Sequence, residues 1–284
     1  MYSFLKNLDR RWVFLVMFLA VSYPIISRTT FPEEVSPLTQ QVYDAIQDLP
    51  DGSRVLISLD YDPGSQGELL PMAAAFTRHC AEKKHKMYFM CLWPLGEPMI
   101  EKSMAILANE YPDLSYGTDY VSLGFKAGGE GVIKVIVTNI RELILTDQFG
   151  TGLDDIPMTA SLKNIQEMAL IINVSAGDPG TKQWVQFAST PYEIETVAGC
   201  TGVQAPQLYP YIPAQLRGLL GAIKGAAEYE EALDIGYPDS IGANPEAQSA
   251  KVRTGPQLIA HVLMIILIIA GNAIYLVGRS RGDA

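Results

Sequence analysis

The sequence predicts an α/β fold, a mainly parallel sheet in three layers, carried between two transmembrane helices. Three observations predict it. From residue 54 to residue 198, apolar runs of strand length alternate with stretches of helical periodicity, the pattern left by βαβ crossovers. Residues 257–277 contain no Lys, Arg, Asp or Glu, and ~20 such residues are what a helix needs to cross ~30 Å of hydrocarbon. A shorter apolar run, residues 12–27, opens the chain.

The 284 residues are 48% hydrophobic and 18% charged. Without the terminal apolar runs, roughly 225 residues remain, enough for one sizeable domain. Between Arg28 and Pro256 there are 16 Lys or Arg against 29 Asp or Glu, a net charge of −13. Such an acidic surface repels nucleic acid and disfavours a face lying on anionic lipid. Cys80, Cys91 and Cys200 form no CxxC pair and no disulfide framework.

Lys6, Arg10 and Arg11 precede the first apolar run, which fits either an uncleaved anchor or a secretory signal with Ala20-Val21-Ser22 before the cut. The anchor reading is adopted, with residues 1–28 as the anchor and 29–52 as a lead-in holding a short helix over 38–49. Arg279 and Arg281 follow the last run, so both termini are expected in the cytoplasm and the domain outside it, although Arg28, Lys251 and Arg253 weigh the other way.

The domain is expected over 53–233. Residues 54–60 read as a doubly buried strand, 67–84 as a helix and 86–93 as a second strand. Pro98 sits in the first turn of a helix reaching 111, where its missing N–H costs nothing. A third strand follows at 119–125. Ile133, Ile136, Val137, Ile140 and Ile144 recur at helical spacing and predict a helix over 132–145. Residues 167–175 read as a fourth strand, 181–189 as a short helix and 193–198 as a fifth strand. The architecture is Rossmann-like in the broad sense, without the GxGxxG dinucleotide fingerprint.

Residues 214–233 are expected to form one helix with leucines on one face and Gly218, Gly221, Ala222 and Gly225 on nearly the opposite one. Each interior glycine costs ~1 kcal/mol relative to alanine, an expense that close packing of a second helix would offset. That second helix belongs either to the same domain or to a partner subunit. Residues 234–256 read as a linker to the membrane, 257–278 as the second span and 279–284 as a cytoplasmic tail. Gly271 and Asn272 in that span are candidates for a helix–helix contact.

Ligands of open parallel sheets bind where strands end. Three strand ends carry polar groups: Asp60, Asp62 and Ser65; Ser175 and Asp178; Cys200 and Thr201. Together they define one candidate edge, against the plainer reading that Asp and Gly there simply make good turns. Cys200, flanked by glycines, has the look of an exposed nucleophile, but it lacks a histidine. His79 and His85 fall at the opposite edge of the sheet, and His261 lies at the membrane. His79, Cys80, His85 and Cys91 match no zinc spacing, so no metal and no cofactor is expected.

The expected function is a non-enzymatic scaffold or accessory subunit of a membrane assembly, bound to the lipid bilayer and to copies of itself or other membrane subunits. The alternative is a tethered small-molecule-binding module or hydrolase using Asp60, Asp178 and Cys200.

Overall fold

The computed structural model describes residues 9–280; Lys6, Arg281 and the rest of the expected tail beyond Ser280 lie outside the described residues. The chain forms two compact units, residues 33–250 and the terminal segments 1–32 with 251–284.

The larger unit holds a six-stranded, all-parallel sheet in the order β3-β2-β1-β4-β5-β6. The strands are β1 (Arg54–Asp60), β2 (Lys86–Cys91), β3 (Tyr120–Phe125), β4 (Leu170–Ser175), β5 (Thr196–Cys200) and β6 (Gly218–Gly221). This is the strand order of the doubly wound Rossmann arrangement, with the direction of winding reversing between β1 and β4. Helices lie on both faces because a parallel sheet is apolar on both. On one face Val55, Ile57, Leu59, Leu170, Ile172 and Val174 meet α2 (Pro37–Gln47), α3 (Gln66–Glu82), α4 (Glu97–Glu110) and α6 (Ala222–Gly236). On the other, Leu56, Tyr88, Leu123 and Ile171 meet α5 (Glu130–Ile136) and Trp184.

Four expectations need correction. The single helix over 214–233 is instead a sixth strand followed by α6. Its glycines therefore make no common helical face, and each meets a neighbour within the domain. A Cβ on Gly218 would lie 2.7 Å from Val42 Cγ2 and 2.9 Å from the Leu38 carbonyl of α2, and one on Gly225 would lie 2.9 Å from the Leu220 backbone. A Cβ on Gly221 would meet Ala205 at 3.3 Å, while Ala222 starts α6 at a left-handed φ of 56°. The leucine periodicity misled because Leu216, Leu219 and Leu220 are all buried as strand and pre-strand residues. The 132–145 helix stops at Ile136. Its isoleucines are nonetheless buried, Ile140 and Ile144 in a short 3-10 turn and its sequel. The expected linker 234–256 is folded, with Ile241, Ala247 and Ala250 in the core. Likewise, α2 in the lead-in belongs to the domain unit.

The outer edge of β3 is covered by its own surroundings. Gln148 N–H donates to Ser122 O at 2.9 Å, Gly117 N–H to Tyr120 O at 2.8 Å, and Ser122 N–H to the Tyr116 hydroxyl at 3.3 Å. An edge strand so occupied offers no template for further pairing.

In the terminal unit, α1 (Arg10–Ser27) and α7 (Ser249–Ser280) are both long and apolar enough to cross a membrane. They line a wholly apolar groove of about 340 Å³ that includes Val16, Ala20, Leu258 and Val262. Gly271 has open space around it, and Asn272 Nδ2 donates to Ile268 O of its own helix at 3.0 Å.

Gly218→Ala drives a methyl group into the backbone of α2. It should lower the stability of the domain by about 1–3 kcal/mol, whereas Gly221→Ala, against one alanine methyl, should cost less. Chemical denaturation of both variants checks the order; equal effects would contradict the packing of α2 on β6.

Candidate functional site

The carboxyl ends of β1 and β4 mark the position where doubly wound folds bind ligands. Strand alternation places Ser58, Asp60, Asn173, Ser175 and Cys200 on one face of the sheet. Register makes Ser58 the neighbour of Asn173, and Asp60 the neighbour of Ser175, itself beside Cys200. All five are fully buried.

Asp60 is the centre of this cluster. Its Oδ2 accepts from Ser58 Oγ at 2.8 Å, Asn173 Nδ2 at 2.6 Å and the Trp184 indole at 3.1 Å, and its Oδ1 accepts from Leu92 N–H at 2.7 Å. Four donors and no acceptor make a cradle for a carboxylate. Burial nevertheless pushes the carboxyl up to about 6, against the downward pull of those four hydrogen bonds. At neutral pH the group is an anion inside the protein.

The network continues outward. Thr181 Oγ1 donates to Asn173 Oδ1 at 2.6 Å, Ser175 Oγ lies 3.0 Å from Thr181 Oγ1, and Thr181 N–H donates to Ser175 Oγ at 3.2 Å. Thr181 and Trp184 arrive on a helical segment that runs from Thr181–Trp184 through a π turn, Val185–Ser189, to Thr190–Tyr192. The loop between β4 and this segment folds over the strand ends. Trp93 Nε1 donates to Pro179 O at 2.7 Å and Gln204 Nε2 to Gly177 O at 3.2 Å. Gly180 is required there, because a Cβ would lie 2.3 Å from Gly177 O.

Of the residues expected on this edge, Asp60, Ser175 and Cys200 come together in one layer. Asp62 accepts from Ser65 N–H at 3.0 Å and so makes the turn that precedes α3. Asp178 is exposed at the apex of the covering loop, and Thr201 is buried. The exposed-nucleophile reading of Cys200 is overturned. The thiol is fully buried, and burial pushes it up to about 12, the Glu68 carboxylate adding to the rise. A thiol so raised is protonated and unreactive at neutral pH.

Ser58, Asn173, Thr181, Trp184, Trp93 and Gln204 were missed from sequence. The signal for two of them was present: Ser58 with Asp60, and Asn173 with Ser175, are i, i+2 polar pairs inside otherwise apolar strands. Trp184, eleven residues after Asn173 in the chain, carries no such mark.

A cavity of about 460 Å³ opens at the opposite, amino end of β5, lined by Thr190, Glu193, Ile194, Gln215 and Arg217 among others. Arg217 is already paired there with Glu195 and with Asp48, the latter at 3.6 Å.

Asp60→Ala leaves four buried donors without their acceptor and should destabilise the domain, by about 1–3 kcal/mol for each donor that finds no other partner. The pH signature is specific. A carboxyl raised from 3.8 in the unfolded chain to about 6 in the folded one stabilises the fold at low pH, and that contribution is lost as pH rises through 6. Denaturation between pH 4 and 7 should give a wild-type stability that falls relative to that of Asp60→Ala as pH rises; identical pH slopes would contradict the assignment. In the native protein, Cys80, Cys91 and Cys200 should all resist alkylation at pH 7.5, and modification of Cys200 at the rate of a free thiol would contradict its burial.

Comparison of the chain with known protein families, with curated proteins and with solved structures finds no match.

Proposed function

We propose that this protein is a membrane-anchored, non-enzymatic scaffold or accessory subunit of an oligomeric membrane assembly. Its two terminal helices span the bilayer, both termini face the cytoplasm and the α/β domain lies outside it. The observation that carries the reading is the filled crevice. Where a doubly wound enzyme keeps room for a ligand, this chain places Trp184, Trp93 and the 176–180 loop, and it saturates Asp60 with its own donors. The apolar character of α1 and α7 supports the double anchor. The basic residues Arg10, Arg11 and Arg279 beside them support the orientation. Gly271 and Asn272, open on α7, supply a place for a further helix to pack.

The cavity at the amino end of β5 favours a second reading, a tethered small-molecule-binding module, with its ligand at Thr190, Glu193 and Gln215. A volume of about 460 Å³ lies within the range of small-molecule sites.

Native mass measurement after gentle detergent extraction of the full-length chain separates the two. The scaffold reading expects a defined particle larger than the 31.1 kDa monomer, reduced to monomer by Gly271→Leu or Asn272→Leu. A monomer in every mild detergent would contradict it. The binding reading expects a ligand that raises the melting temperature in the wild type and fails to do so in Glu193→Ala.

A further inference from the structure

The C-terminal end of α2 is fastened to the domain by two buried histidines. His79, on α3, has its Nδ1 2.6 Å from the Tyr229 hydroxyl and its Nε2 3.0 Å from Gln47 Oε1. The Tyr237 hydroxyl donates to the same Gln47 oxygen at 2.6 Å. An amide oxygen only accepts, so Nε2 carries the proton and Nδ1 receives the Tyr229 hydroxyl. Tyr43 of α2 stacks on the imidazole at 4.8 Å. His85, just beyond α3, places Nε2 3.2 Å from the Ile46 carbonyl in the last turn of α2, while its Nδ1 is buried without a hydrogen-bond partner.

Both rings are thus seated as neutral imidazoles with nowhere to put a second proton. A proton on His79 Nδ1 would force the Tyr229 hydroxyl to turn away from it, inside the core. A proton on His85 Nδ1 would meet no acceptor. The titratable neighbours do not rescue either charge. Tyr43 comes from α2, Tyr229 from α6, Tyr237 from just beyond it, and Cys80 from α3, and none of these is an anion at neutral pH. Lys83 repels both rings, and each ring repels the other. Asp51 attracts His85 but is held by Lys83 at 2.9 Å.

We propose that α2 is an acid-released cover: protonation of His79 and His85 undocks it from α3 and α6 and bares the sheet face over β6. β6 is the last strand of the sheet, and α2 sits on its face so closely that Gly218 has no room for a methyl group. Removing α2 exposes apolar residues now packed together there, Val42, Ala45 and Ile46 of α2 and Leu220 of β6.

The direction follows from linkage. Burial lowers both histidines, His79 to about 3. Their contribution to docking is full above the ordinary value of about 6.5 and is lost as pH falls below it. His79, regaining its ordinary basicity on opening, multiplies the opening constant about 30-fold at pH 5.0, and His85 adds to the same direction.

Hydrogen exchange on the full-length protein in detergent, at pH 7.5 and 5.0 and corrected for intrinsic exchange rates, reads this directly. Amides in residues 37–47 and 218–221 should show an opening constant raised at least about 30-fold at pH 5.0, while β1 and β4 keep their protection. His79→Gln and His85→Gln should each remove part of that response. Loss of protection in α2 and the central strands together, or in neither, would overturn the proposal on the wild type alone. An undiminished acid response in both variants would overturn it as well.

Discussion

A single buried anion organises this domain. Taking a carboxylate out of water costs several kcal/mol even after relaxation, and a hydrogen bond to a charged group returns about 1.5–3 kcal/mol. Asp60 therefore needs several donors at once, and the four it has come from four places: β1 itself, the neighbouring β4, the chain just beyond β2 and, through Trp184, the segment after β4. Each donor must hold its position for the others to suffice. The turn at Leu92, the register of β1 on β4 and the helical segment after Gly180 are thereby tied to one atom pair, and the crevice between β1 and β4 is closed as a consequence.

The other constraint is close approach at the far end of the sheet. β6 is only four residues long, and the face it presents to the core needs cover. α2 supplies it through Val42 and Leu38 against Gly218, and the His79–Gln47–Tyr237 and His85–Ile46 contacts hold its last turn. The glycines that look like an oligomer interface when read as helix are used instead to bring a helix and a strand of the same chain together. Glu230 of α6 has a comparable role. Buried, it accepts the Ala250 N–H with both oxygens at 2.9 Å, so Ala250, the last residue of the domain unit, is fixed to its core.

Much of the architecture was legible because apolar runs report burial on both faces of a parallel sheet. Residues 54–60, 86–91 and 170–175 are unmistakable on that ground, and so are the terminal apolar runs. The sixth strand was not. Residues 214–221 bury Leu216, Leu219 and Leu220, whose spacing satisfies a helix as well as a four-residue strand, and nothing local separates the two. Asp60, Ser175 and Cys200 do converge, but local sequence says nothing of Trp184 and Trp93, which arrive from other segments of the chain and bond to Asp60 and to Pro179. Whether a polar strand end is a pocket or a sealed network depends on those long-range arrivals.

The account stands on Asp60 as an enclosed anion at the switch point. Carbon-detected NMR titration of the Asp60 side-chain carboxyl, assigned by comparison with Asp60→Asn, measures that state directly. A midpoint near 6, well above an ordinary aspartate, with the Trp184 indole proton shifting in step, is the predicted result. A midpoint at or below about 4, with the indole proton indifferent to pH, would mean that water reaches the carboxylate and that the crevice is open.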